Sequence, residues 1–137
     1  MKKTIFFILF LFVGVTIQSQ TIYYKGSSIG VIESDGDVYI NGSRKGSFEP
    51  DGDVYKEGSR IGLIQSDGDV YANGSRVGEI QSDGDVYTNG SRVGAIEDDG
   101  DIYYHGSRVG ACDGVKREWA AGFFFFFFWD FDLEGAK

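Results

Sequence analysis

The residues of this chain best suited to chemistry are paired carboxylates recurring at fixed intervals: Asp35-Gly36-Asp37, Asp51-Gly52-Asp53, Asp67-Gly68-Asp69, Asp83-Gly84-Asp85 and Asp99-Gly100-Asp101. Two acidic side chains on one tight turn are hard oxygen donors of the kind that calcium takes. Each triplet is only a fragment of a calcium loop, because an EF-hand continues to a bidentate glutamate and calcium-binding β-helices use a glycine-rich nonapeptide. Turn formation explains the triplets more simply, so neither a metal nor another cofactor is expected. A second row, Arg44, Arg60, Arg76, Arg92 and Arg108, lies one turn away, with Ser28 in its place in the first copy. Together with Tyr39, Tyr55, Tyr71, Tyr87 and Tyr103 these arginines form a candidate ligand rim, suited to a glycan or an anionic lipid headgroup. The competing reading is that the two rows of opposite charge make ordinary solvated cross-strand pairs.

Catalysis finds little to work with. The single histidine, His105, occupies a turn position filled elsewhere by Asn, Lys or Glu, which suits a loop tip better than a general base. A Ser-His-Asp arrangement would have to draw on interchangeable repeated serines, and the sequence has no nucleophile elbow, metal-ligand cluster or phosphate loop. No enzymatic activity is expected.

The elements that position these residues are repeats. Six gapless units of period 16 run IYYKGSSIGVIESDG, DVYINGSRKGSFEPDG, DVYKEGSRIGLIQSDG, DVYANGSRVGEIQSDG, DVYTNGSRVGAIEDDG and DIYYHGSRVGACDG. Each holds two turn signals, x-Gly-Ser and Asp-Gly-Asp, which makes every unit a β-hairpin. Asn-Gly alone would indicate a two-residue type I′ turn. Lys25, Glu57 and His105 also precede that glycine and tolerate positive φ poorly, so a type I turn closed by a left-handed glycine is expected there. Pro50-Asp51-Gly52 indicates the same geometry at the second turn.

The strand segments are unequal, about four residues around Val70-Tyr71 and about eight from Ser75 to Ser82. A bend at the in-register glycine of the long segment (Gly30, Gly46, Gly62, Gly78, Gly94, Gly110) reconciles them. The part before the bend would pair with the preceding short strand and the part after it with the next. The expected fold is all-β: six 16-residue hairpins closed into a shallow petalled barrel, which removes the open edges of the sheet. An open hairpin solenoid is the alternative.

The DGDVYxNGSRVGxI units resemble the bacterial β-flower proteins, and the resemblance covers roughly residues 22 to 114. It implies a shallow symmetric barrel of hairpin petals, distantly like the tubby C-terminal barrel. It implies no established activity, because glycines and tyrosines at fixed spacing define a fold and not a reaction. Tubby-like proteins bind or move membrane lipids, and that link is an analogy of fold alone, with no headgroup site to carry over.

After the repeats comes Val115-Lys116-Arg117-Glu118-Trp119-Ala120-Ala121-Gly122, then Phe123, Phe124, Phe125, Phe126, Phe127 and Phe128, then Trp129-Asp130-Phe131. At roughly 1.5 to 3 kcal/mol per fully buried phenylalanine, the run carries on the order of 10 kcal/mol of burial seeking a partner. The first reading is a plug, helical or extended, filling the centre of the ring. A helix from Trp119 to Phe131 would be about 20 Å long, commensurate with such a ring. The second is an exposed element docking on a membrane interface or a partner, anchored by Trp119 and Trp129. Self-association is the third.

Three segments follow: 1–19, 20–114 and 115–137. The first, Met1-Lys2-Lys3 and an apolar run from Thr4 to Ile17, reads as a secretory signal peptide, too short to span a bilayer, with Gln20 as the mature start. Its removal takes the net charge of the 137-residue chain from -8 to -10, since two lysines and no acids leave. Nucleic acid is thereby an improbable partner. Cys112 stands alone where other copies have Ile or Phe, so it reads as a small buried hydrophobe and no internal disulfide can form. The chain is expected to be an exported, periplasmic or cell-surface, non-enzymatic structural or binding module. The alternative is a membrane-associated, lipid-binding barrel that uses the Phe-rich tail.

Overall fold

The structure, a computed structural model, describes residues 20–128; the expected signal peptide, Trp129 and Phe131 lie outside them. Twelve strands form six hairpins: β1 (Thr21–Tyr24) with β2 (Ser27–Ile32), β3 (Asp37–Ile40) with β4 (Ser43–Phe48), β5 (Asp53–Lys56) with β6 (Ser59–Ile64), β7 (Asp69–Ala72) with β8 (Ser75–Ile80), β9 (Asp85–Thr88) with β10 (Ser91–Ile96), and β11 (Asp101–Tyr104) with β12 (Ser107–Ala111). All are antiparallel and the sheet closes on itself where β12 pairs with β1 through Gly110–Tyr24 and Ala111–Tyr23. Closure excludes the open solenoid.

The six-residue strand matches its four-residue partner through a bulge. Val70 faces Gly78 and Tyr71 faces Arg76, which leaves Val77 as the extra residue. The bend therefore falls where the glycine row placed it, but the pairing differs from expectation. Each long strand pairs with its own short strand on both sides of the bulge, and its last residues also pair with the next short strand, as Gly78, Glu79 and Ile80 do with Thr88, Tyr87 and Val86. The inner halves thus make the barrel wall, and the outer halves project as petals.

The tip of each petal corrects a second expectation. Asn73 and Gly74 have φ of 52° and 84°, and Ala72 faces Ser75 across them, which defines a two-residue type I′ turn. Lys25, Glu57 and His105 adopt the same conformation, with φ of 52°, 51° and 49°. Two forces override their local preference. Only the primed turns match the twist of a two-residue hairpin. The N–H of each such residue also donates to the carbonyl of the preceding petal's bulge residue, as Glu57 does to Lys45 at 2.8 Å and His105 to Val93 at 2.9 Å. At the other end, Gly52 N donates to Glu49 O at 2.9 Å with φ of 102°, as expected for a type I turn followed by a left-handed glycine.

Alternation along the strands builds two interior rings of six side chains. Ile22, Val38, Val54, Val70, Val86 and Ile102 are fully buried; Ile32, Phe48, Ile64, Ile80, Ile96 and Cys112 form the layer beneath them. The centre is filled by α1 (Arg117–Ala121), which continues into a π-helical segment, Gly122–Phe127. Arg117 fixes the entry, with its guanidinium donating to Ser82 O at 2.7 Å and bonding the carboxylate of Asp98. Trp119 stacks on Phe48 with ring centroids 6.1 Å apart. The Phe-rich segment is the core of the barrel, and it is helical.

Its packing follows one rule. A Cβ on Gly110, Gly94, Gly78, Gly62 or Gly46 would meet the ring of Phe124, Phe125, Phe126, Phe127 or Phe128 respectively, at closest distances of 3.0, 2.7, 2.6, 2.3 and 3.1 Å. One phenylalanine thus rests on the bare glycine backbone of five of the six petals, in reverse chain order, while a Cβ on Gly30 of the first petal would meet only the backbone of the next strand. These five glycines are required twice over, because the same Cβ would also lie 2.1 to 2.6 Å from the tyrosine carbonyl of the next short strand. Six petals stand about 60° apart, whereas an α-helix turns about 100° per residue. The i→i+5 bonding of the π-helix widens the turn and reduces that step, which brings consecutive side chains closer to the spacing of consecutive petals.

Candidate functional site

Tyr39, Tyr55, Tyr71, Tyr87 and Tyr103 alternate with the buried valines and isoleucines and so point outward, half-buried, on the barrel wall. Across the bulge each faces an arginine of the same petal, Tyr39 with Arg44 through Tyr103 with Arg108. The candidate rim is therefore assembled as the sequence placed it. Its charges, however, are already occupied. Arg44 bonds Asp37 at 3.0 Å, Arg60 Asp53 at 2.9 Å, Arg76 Asp69 at 2.9 Å, Arg92 Asp85 at 3.1 Å and Arg108 Asp101 at 3.0 Å. Hydrogen bonding to the aspartate, with its charge adding to the effect, raises the pKa of Arg44, Arg76, Arg92 and Arg108 above the usual arginine value.

The first aspartate of each triplet has a different task. Asp67 Oδ1 accepts from Asp69 N at 3.0 Å, and the other four triplets repeat this bond at 3.0 to 3.1 Å. The Asp-Gly-Asp triplets thus close the turn with one carboxylate and pair the petal's arginine with the other. Among the described residues, Glu33, Asp35 and Asp37 bring one carboxylate oxygen each within 4.8 Å of one another. Two of these three are engaged in the bonds above.

Equivalent clefts run between adjacent petals at two successive boundaries. One of about 320 Å3 is lined by Arg60, Gly62, Leu63, Gln65, Tyr71 and Gly74, and one of about 340 Å3 by Arg44, Gly46, Ser47, Glu49, Tyr55 and Gly58. Every residue of the second list lies 16 positions before its counterpart in the first. The arginine wall comes from one petal and the tyrosine wall from the next, while the floor is glycine backbone. The sequence singles out the walls and the glycines, but not the remaining lining, Ser47 and Glu49 in one cleft and Leu63 and Gln65 in the other. In the first of these Ser47 Oγ donates to Glu49 Oε2 at 2.7 Å.

The aromatic candidates lie apart from the rim. Phe123, Phe124 and Phe128 are fully buried, Phe127 and Trp119 nearly so, and Phe125 and Phe126 half-buried. Phe125 borders a cavity of about 180 Å3 together with Thr88, Val93, Tyr104 and Phe124. Lys56, in a position held by Ile40, Ala72 or Thr88 in other petals, donates its Nζ to Phe127 O at 3.1 Å and lies 5.3 Å from the Phe128 ring centre. Cys112 is buried among these residues; loss of solvation, helped by Asp113, pushes its thiol pKa up to about 12, which leaves it protonated and unreactive. His105 sits at an exposed petal tip with its ring against Tyr104. Among the described residues no helix is long and apolar enough to cross a membrane.

A closed ring of antiparallel hairpins around an aromatic helix is a repeat barrel, here with equivalent clefts at two successive petal boundaries. The chain matches the model of the 5-fold beta-flower protein family over residues 16–128 and belongs to that family. The family is defined by its fold and not by an enzymatic reaction, and where its description is five-fold this chain closes with six hairpins. No curated protein and no solved structure matches it.

Proposed function

We propose that this chain is an exported, non-enzymatic binding module of the cell envelope, which presents equivalent sites around a rigid ring. The observation that carries this reading is the recurrence of one cleft, wall for wall, at successive petal boundaries. A closed barrel with a filled centre holds such sites at fixed mutual angles, the arrangement that lets weak contacts to a repetitive surface add up. Export rests on the basic start and apolar run of residues 1–19. A non-enzymatic role is favoured by the arginine and aspartate side chains of the rim being committed to one another, and by the exposed position of the only histidine. The lipid-binding alternative loses its main support, since Phe123, Phe124, Phe127 and Phe128 face the barrel interior.

The test is fractionation of cells expressing the full chain, followed by sedimentation of the purified mature chain with isolated envelopes. The expected result is a processed chain starting near Gln20, found outside the cytoplasm, that co-sediments with envelope material. An unprocessed cytoplasmic chain would overturn export, and an exported chain that ignores envelopes would overturn the binding role.

A further inference from the structure

The clefts have a chemistry of their own, and it points to one class of ligand. Each offers the flank of a half-buried tyrosine, Tyr55 or Tyr71, opposite an arginine whose guanidinium is bound to an aspartate 2.9 to 3.0 Å away. That wall presents donors and acceptors side by side with no net charge. Glycine backbone at Gly46 and Gly62 forms a flat floor, and the turn residues Gly58 and Gly74 close the rim with further backbone polar groups. An anionic ligand would meet an arginine whose charge the aspartate already offsets, Glu49 in one cleft and a chain of net charge -8 in general. A purely apolar ligand would leave the Arg-Asp pair desolvated and unpaired with water. The volumes of about 320 and 340 Å3 lie at the lower end of small-molecule sites.

We infer that the inter-petal clefts bind neutral carbohydrate, one or two sugar units per cleft, with the sugar's apolar face on the tyrosine and its hydroxyls on the Arg-Asp pair. Successive clefts then engage successive stretches of a repeating polysaccharide. This deepens the binding role proposed above and rests on it. The clefts differ beside that glycine floor, with Leu63 and Gln65 in one and Ser47 and Glu49 in the other, so they grip one polymer with unequal strength. Tyr55 and Tyr71 carry the stacking, and Arg44 and Arg60 position the hydroxyls.

The experiment is a two-dimensional amide NMR titration of the full mature chain with maltohexaose, cellohexaose and the hexamer of N-acetylglucosamine, with a sulfated hexasaccharide of matched length as the anionic comparison. The expected result is that at least one neutral hexamer shifts Gly62, Leu63, Gln65 and Gly74 at millimolar concentration while core amides such as Val70 stay fixed. Tyr71→Ala is expected to weaken that binding at least fivefold and Tyr71→Phe to restore it, since the phenyl face remains; the rescue separates loss of stacking from loss of fold. No cleft shift with any neutral hexamer, or shifts with the sulfated one alone, overturns the carbohydrate assignment. Should envelopes still sediment the chain in that case, the binding role survives and only the ligand class falls.

Discussion

Replacing Gly62 with alanine is expected to destabilise the barrel severely, and by an amount that depends on which phenylalanine is changed with it. The added Cβ would lie 2.3 and 2.6 Å from Cε1 and Cζ of Phe127 and 2.6 Å from the Tyr71 carbonyl oxygen. Phe127 has little room to retreat, being 5% exposed and tied through its own carbonyl to Lys56. Overpacking of this kind costs about 1 to 3 kcal/mol, and contact with fixed backbone places this case near the upper end. Gly74→Ala is the control. Nothing lies within 4 Å of its Cβ, so only the left-handed backbone at φ 84° is penalised, by about 1 to 2 kcal/mol. Phe127→Leu alone should cost on the order of 1 to 2 kcal/mol, for the apolar surface lost and the gap left. Because Leu lacks the ring atoms that the new Cβ meets, the double variant should be more stable than the sum of the two losses by on the order of 1 to 2 kcal/mol. Gly62→Ala combined with Phe125→Leu, whose ring rests on Gly94, should be additive within about 0.5 kcal/mol. Urea unfolding followed by circular dichroism supplies the four free energies in each cycle. Additivity with Phe127, or equal coupling to Phe125 and Phe127, would refute the assignment of one ring to one petal.

Other expectations follow from the same geometry. Ending the chain after Gly122 removes four buried rings worth at least about 6 kcal/mol together, comparable to the whole stability of a small domain, so cooperative thermal unfolding should vanish. Glu57→Asn, at φ 51° in a type I′ turn, should raise stability by about 0.5 to 1 kcal/mol, measured as a higher urea midpoint. For Cys112 the folded pKa of about 12 exceeds the ordinary value of 9.0, so its contribution is intact below pH 9 and declines by roughly 1.4 kcal/mol per pH unit between 9 and 12. Cys112→Val should remove that portion of the alkaline slope, read from urea midpoints of both chains across pH 8 to 11.

Much of this architecture was legible because sixfold repetition exposes it. A glycine in register in every unit had to mark a strand irregularity, and an apolar hexamer after the repeats had to find a partner, with the ring's own centre as the first reading and a membrane or partner as the second. The petal tips were misread because propensity at Lys25, Glu57 and His105 is local, whereas the hairpin twist and the neighbouring bulge carbonyl that hold them are not. The pairing of Phe124 with Gly110 through Phe128 with Gly46 left no mark in the sequence, since it depends on the direction in which the helix enters and on its widened π-helical turn. The variable lining of the clefts left no mark for a related reason. Ser47, Leu63, Glu79 and Ala95 vary as surface residues do, and only the bulge reveals that this position faces the tyrosine of the next petal.

The most direct test of the account is the tryptophan emission of a Trp129→Phe chain, with and without liposomes containing anionic lipid. In that chain Trp119, 8% exposed and stacked on Phe48, is the sole reporter of the aromatic core. Emission is expected to be blue-shifted in buffer and unchanged by lipid, because the Phe-rich segment already fills its own barrel. Red emission in buffer that turns blue only on adding liposomes would contradict it and make the segment a membrane contact.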